Sequence, residues 1–208
     1  MKNKLHILAM VGSLRHNSIN QGLLRAAVEN LPESMSLEQF DLASIPLFNM
    51  DLKVNGDPQA VVDLKKHLAI ADALLIITPE YNASIPGILK NAIDWASHPR
   101  SQSPLVDKPL AIMGAGGKSG TAFAQRHLHQ IADHLKMPVL DTAEVLVSRS
   151  WEKFDSQGNL TDPETCRQVA NFMQALSDWL RSMRSKRPPI SISISRPVLQ
   201  VAEPVHKN

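Results

Sequence analysis

The sequence predicts an α/β domain: a five-stranded parallel sheet with helices packed on both faces. Two observations lead there. Five short apolar runs alternate with five longer amphipathic runs along the whole chain, and strand–helix–strand repetition of this kind builds a parallel sheet. The clearest run, Ala73-Leu74-Leu75-Ile76-Ile77, has no polar position at all, as a strand covered on both faces requires. The length of 208 residues suits a single domain with a proper core.

The elements follow in order. Strands are expected at Leu5–Val11, Leu37–Phe40, Ala73–Ile77, Pro109–Met113 and Glu144–Val147. Helices are expected at Ser18–Asn30, Pro58–Ile70, Pro86–Ser97, Ser119–Leu135 and Asp162–Met183. Asn17-Ser18 offers a cap for the first helix, because a Ser oxygen accepts a backbone N–H of the first turn. Asp57-Pro58 and Asp162-Pro163 each set a cap before a proline that tolerates the first helical position. Ser119 can cap the fourth helix. Val61, Val62, Leu64, Leu68 and Ile70 repeat at helical spacing and leave Lys65 and Lys66 for water.

No internal repeat or domain linker is visible. Residues 1–184 form one predicted domain, and 185–208 an extension. There Ser185-Lys186-Arg187-Pro188-Pro189 breaks the last helix, and Ile190 to Ser195 alternate with period two. That pattern reads either as a flexible extension or as an added edge strand that pairs with a neighbouring subunit.

Composition narrows the function. The net charge of +2 calls for neither nucleic acid nor an anionic membrane as partner. No apolar run approaches the ~20 residues of a membrane helix. Leu5 to Val11 imitates a signal peptide only faintly, being short and interrupted by His6. The single cysteine, Cys166, forms no internal disulfide and reads as a small packing residue. A cytoplasmic location follows. His127, His129 and His134 look like a metal cluster, but residues two apart on a helix face different ways. No metal is expected, and these histidines read as a solvated or interface face. Trp95 and Ile93 read as packing residues, and Trp151 and Trp179 as core or subunit contacts.

Three loops carry the chemistry. The first is Gly12-Ser13-Leu14-Arg15-His16-Asn17-Ser18-Ile19-Asn20. Gly12 allows a sharp turn. Ser13, Ser18 and Asn20 supply donors, Arg15 a charged planar fork, and the oncoming helix its free N–H groups. Glycine is too sparse for a dinucleotide fingerprint, so one terminal phosphate fits better than a pyrophosphate. The second loop is Thr78 to Gly87, stiffened by Pro79 and Pro86 and carrying the Tyr81 ring; it suits a flat, electron-poor ring. The third is Gly114-Ala115-Gly116-Gly117-Lys118-Ser119-Gly120-Thr121. It is no Walker A loop, because Ile112 stands where the first glycine must be, and no Rossmann turn, because Ser119 stands at the third. Its lack of bulk lets backbone lie against a ligand.

With these loops, the chain resembles the NAD(P)H-dependent FMN reductase family of quinone, chromate and azo-dye reductases. Gly12-Ser13-Leu14-Arg15 with Ser18 and Asn20 is similar to that family's phosphate loop. Pro79-Glu80-Tyr81-Asn82 through Ser84, Pro86-Gly87, Lys90-Asn91 and Asp94-Trp95 is similar to its flavin-ring segment. The resemblance spans roughly residues 4 to 183 and departs at His98, where many members carry arginine.

The resemblance implies a flavodoxin-like three-layer sandwich with strand order 2-1-3-4-5. It implies that Ser13, Arg15, Ser18 and Asn20 hold the FMN phosphate. Pro79, Glu80, Tyr81 and Asn82 would lie along the ring, largely through backbone, and Gly114, Ala115, Gly116, Gly117 and Lys118 would border ring and ribityl chain. The implied reaction passes a hydride from NADPH or NADH to flavin N5, and onward to a quinone, an azo compound, a metal oxyanion or free flavin. No catalytic side chain is obligatory, because the cofactor carries the chemistry. A homodimer or homotetramer is implied, with the third and fourth helices as plausible contact faces. The competing readings are a flavodoxin-type electron carrier and an FMN-binding redox sensor.

Overall fold

The computed structural model describes residues 4–186. Five parallel strands, β1 (Leu5–Val11), β2 (Met35–Phe40), β3 (Ala73–Ile77), β4 (Leu110–Ala115) and β5 (Val145–Val147), lie in the order β2-β1-β3-β4-β5. Five α-helices alternate with them: α1 (Ile19–Glu29), α2 (Gln59–Ile70), α3 (Gly87–Ser97), α4 (Ala122–Leu135) and α5 (Pro163–Lys186). This is the expected flavodoxin-like sandwich. Of the extension expected at 185–208, Ser185 and Lys186 continue α5. The alternating segment from Ile190 lies outside the described residues.

Side-chain alternation explains how apolar strands build two cores. Successive strand residues point to opposite faces. Leu5, Ile7, Ala9 and Val11 therefore join Leu75, Ile77, Ala111 and Met113 on one face, under Leu23 of α1 and Phe172 of α5. Leu8, Met10, Leu74, Ile76 and Ile112 pack on the other, under Leu64 of α2, Leu89 of α3 and Leu128 of α4. Trp95 of α3 is fully buried in this second core, and its Nε1 donates to the Pro46 carbonyl at 2.8 Å. Trp179 packs partly buried against the first core. Trp151 is 59% exposed, so it is not a core residue.

Two helix starts differ from expectation. Asp57 does not cap α2: Pro58 occupies the cap position without a side-chain bond. The Asp57 carboxylate instead lies 2.6 Å from both Lys53 and Lys65. Lys65 is thereby withdrawn from water, and also donates to the His98 carbonyl at 2.6 Å. Ser119 does not cap α4, which begins after Thr121. Asp162 does cap α5 as expected, accepting from the Thr165 N–H at 2.8 Å.

The order of connections positions the site. From β1 the chain crosses to one side of the sheet, and from β3 to the other, so their following loops part and leave a crevice. Parallel pairing puts every β→α loop on the same edge.

Candidate active site at the carboxyl edge of the sheet

The first two loops touch at Gly12. Its N–H donates to the Ile77 carbonyl at 2.9 Å. A Cβ added there would lie 3.3 Å from Pro79 and from Pro86, so glycine lets the prolines close over β1. Beyond it, Ser13 is buried and Leu14, Arg15 and His16 are exposed. Arg15 and His16 stand on the wall of a cavity of about 390 Å³ that also includes Arg25, Gln39 and Asp41. The loop is thus locally basic although the whole chain is nearly neutral.

Ser18 caps α1, accepting from the Asn20 N–H at 3.2 Å. Asn20, expected as a phosphate donor, faces the sheet. Its side chain is 1% exposed, and its amide is paired with Ala115: Nδ2 donates to the carbonyl at 2.9 Å and Oδ1 accepts the N–H at 3.0 Å. It braces α1 against the end of β4 and shapes the loop from behind.

The second loop begins at buried Thr78, whose N–H donates to the Met113 carbonyl at 3.0 Å. Tyr81 and Ser84 then exchange both backbone hydrogen bonds at 3.0 Å. Asn82 and Ala83 between them have φ of 51° and 55°. This is a two-residue turn with both central residues left-handed, as in a type I′ hairpin. Asn tolerates that conformation, but Ala is no signal for it, so the turn was not visible in the sequence. The Tyr81 side chain is 49% exposed and so free to meet a ligand.

The third loop is shorter than expected. Gly114 and Ala115 are the last residues of β4 and are buried. A Cβ on Gly114 would come 2.3 Å from the Thr78 carbonyl and 2.5 Å from Thr121 Oγ1, so this glycine serves strand packing. Gly116 faces the Gly120 carbonyl in the same way, at 2.3 Å. At Gly117 a Cβ would meet nothing within 4 Å. Gly116 is half-buried and Gly117 and Lys118 are exposed, so this end of the expected segment lies open.

Glu80 joins the second loop to the third. Its Oε2 accepts from the N–H groups of Phe123 at 2.8 Å and Ala124 at 3.1 Å, and its Oε1 from the Ser119 hydroxyl at 3.3 Å. The sequence reading looked to its backbone; the structure puts its side chain to use. His127, expected on a solvated or interface face, lies 2.9 Å from the Ser84 hydroxyl through Nδ1. His134 pairs with Arg100 at 3.2 Å, and His129 is exposed. Among the described residues no group of three or more His, Cys, Asp or Glu is arranged for a metal. The Cys166 thiol is pushed up by burial and by the nearby Asp162 and Glu29 carboxylates. That disfavours the reactive thiolate and agrees with a packing role.

An edge with a basic first turn, an exposed aromatic ring and an open glycine turn has the charge and the space for a flat ring bearing a phosphate. The chain matches the family described as NADPH-dependent FMN reductase over residues 5–152.

The chain belongs to the NADPH-dependent FMN reductase family.

Among its relatives in this family is an NAD(P)H-dependent FMN reductase of Pseudomonas aeruginosa. That protein is 43% identical over 185 residues, which cover 88% of this chain and all of the relative. A 2-hydroxy-1,4-benzoquinone reductase of a Burkholderia species is 38% identical, covering 86% and 98%. An NADPH:quinone oxidoreductase of Arabidopsis thaliana is 36% identical, covering 89% and 97%. Among solved structures, the flavoenzyme NAD(P)H:(acceptor) oxidoreductase FerB of Paracoccus denitrificans superposes with a TM-score of 0.76 at 32% identity, covering 85% and 97%. As a member of the FMN reductase family, this protein is an FMN-dependent NAD(P)H oxidoreductase.

The residues present fit FMN. A phosphate would meet a cationic turn at Arg15 and the start of α1. A ring would meet an unobstructed glycine backbone at Gly117 and the start of α3, where Pro86 leaves the first N–H groups without a side-chain cap.

Proposed function

We propose that this protein is a quinone reductase whose FMN lies in the crevice between the turns near residues 15, 81 and 117. The observation that carries this reading is the convergence of those turns. Gly12 is closed over by Pro79 and Pro86, and Glu80 reaches the first turn of α4. Bound there, FMN would supply the chemistry of hydride acceptance from NADPH or NADH and of two-electron reduction of an acceptor.

The chain's own residues bind and orient. Arg15 and Ser13 hold the phosphate, with the N-terminus of α1 behind them. Ser18 and Asn20 act indirectly, by fixing that turn. Pro79, Tyr81 and Asn82 form one wall of the ring slot, and Gly116, Gly117 and Lys118 the other. The backbone N–H groups of Gly117 and of the α3 start would favour negative charge along the ring edge of a bound flavin. No side chain is needed as nucleophile.

The relatives named for quinones support that acceptor class. An open slot beside Tyr81 also admits azo compounds, metal oxyanions and free flavin. We place the protein in the cytoplasm; no helix among the described residues is long and apolar enough to cross a membrane. A homodimer or homotetramer through α3 and α4 suits the groove of about 560 Å³ between them, walled by Lys90, Asp94, Arg100, Ile131 and His134.

The test is spectroscopic. The purified protein is expected to be yellow with FMN bound, and to bleach rapidly when mixed anaerobically with NADPH or NADH. Quinone should then restore the colour. A protein that binds FMN but does not react directly with either nucleotide would instead be an electron carrier or a sensor.

A further inference from the structure

We propose that Glu80 is a positioning residue, a clamp that holds the ring-side loop against α4 and thereby sets the width of the flavin slot. The inference rests on the reading that FMN lies between these loops.

Glu80 sits between Pro79 and Tyr81, two residues of the slot wall, yet its carboxylate turns away to the neighbouring helix. There it accepts three hydrogen bonds, from Phe123 N–H, Ala124 N–H and Ser119 Oγ. Thr121, at the cap position of α4, makes no side-chain capping bond to the helix backbone, its Oγ1 accepting instead from Gln125 Nε2 at 3.0 Å, so Glu80 supplies the cap that local sequence does not. The arrangement is favourable twice over. Charged acceptors form the stronger hydrogen bonds, and a carboxylate at a helix N-terminus interacts well with the helix dipole.

A second contact runs parallel. Ser84, four residues after Glu80, meets His127, four residues after Phe123, at 2.9 Å. Positions four apart share one face of a helix. The loop therefore lies along one face of α4 and is fastened at both ends. Between the fastenings is the Tyr81–Ser84 turn, whose exposed ring is the natural contact for a flat cofactor. Moving the carboxylate moves Pro79 and Tyr81 with it.

The clamp also settles which helix serves an anion. The positive end of α4 already holds a carboxylate from the protein itself. Negative charge on a bound ligand is left to the starts of α1 and α3 and to the Gly117 backbone.

The experiment compares wild type, Glu80→Gln and Glu80→Ala, each stripped of cofactor. FMN affinity is read from flavin fluorescence, and melting temperature is measured with and without saturating FMN. Glu80→Ala is expected to weaken FMN binding by on the order of tenfold and to shrink the rise in melting temperature that FMN produces. Glu80→Gln keeps the length and one acceptor oxygen and should fall between. A purely structural cap behaves differently: both forms melt lower by the same amount, and affinity stays within about twofold of wild type, the scatter expected when no contact to the ligand is lost. That result would overturn the proposal. If Glu80→Ala does not fold, Glu80→Gln decides alone, and unchanged affinity there rejects the clamp. Absence of FMN binding by the wild type would overturn the functional reading and the clamp together; equal binding by wild type and variants overturns the clamp only.

Discussion

Helices α1 and α4 start on the same edge of the sheet, and each needs its first N–H groups satisfied. α1 takes its cap from the adjacent residue, Ser18. α4 takes its cap from Glu80, 43 residues earlier in the chain. The local cap leaves the front of α1 open, with Arg15 beside it, so a phosphate can be received there. The distant cap fills the front of α4 with a charge and ties two loops together. One helix start is left open and the other is a joint, and the difference lies in where the oxygen comes from.

The sharpest way to break that contrast is at the open end. Arg15→Ala should weaken FMN binding about 10- to 100-fold, because a hydrogen bond to a charged group is worth about 1.5–3 kcal/mol. Fluorescence titration of the stripped protein reads it. An unchanged dissociation constant would remove Arg15 from the phosphate site.

α2 extends the comparison to a helix start with no side-chain cap. Its would-be cap, Asp57, binds Lys53 and Lys65 instead. Burial pushes the Asp57 carboxyl up, but hydrogen bonds and charge from the two lysines outweigh it and hold the group below its ordinary value near 3.8. A carboxyl lowered on folding stabilises the native state above its unfolded pKa and loses that contribution as pH falls through the folded one. Asp57→Asn should therefore cost about 1–3 kcal/mol at neutral pH, less than a fully buried pair, since the side chains retain some exposure. The gap from wild type should stay constant down to about pH 5 and close below about pH 4. Denaturant melts across that range measure it. A gap that widens in acid contradicts the ion-pair assignment.

The smallest effect belongs to the local cap. Ser18→Ala should cost about 1 kcal/mol of stability and weaken FMN binding far less than Arg15→Ala, because Ser18 shapes the turn from a buried position. If its loss weakens FMN as much as the loss of Arg15, Ser18 contacts the phosphate directly.

What the sequence showed follows from the range of each interaction. Strands such as Ala73–Ile77 were legible because burial on both faces leaves only apolar positions, and β3 was read to the residue. Ser18 and Asp162 were legible as caps because cap and helix are neighbours. Gly114 and Ala115 were assigned to a loop because glycine in a strand end looks like a turn; only the approach of Thr78 and Thr121 explains that glycine. Asn20 had the right chemistry for a phosphate, and its pairing with Ala115, 95 residues away, could not be seen. The same holds for the Ser84–His127 contact and for the joint made by Glu80.

By itself the chain determined the alternation of elements, the parallel sheet and the three polar or glycine-rich loops at its carboxyl edge, since each is written in patterns only a few residues long. Tertiary structure alone decided which polar side chains remain free for a ligand and which are taken up by the protein. That choice depends on which backbone groups the crossovers bring within about 3 Å of one another, the reach of a hydrogen bond, and no local pattern carries it.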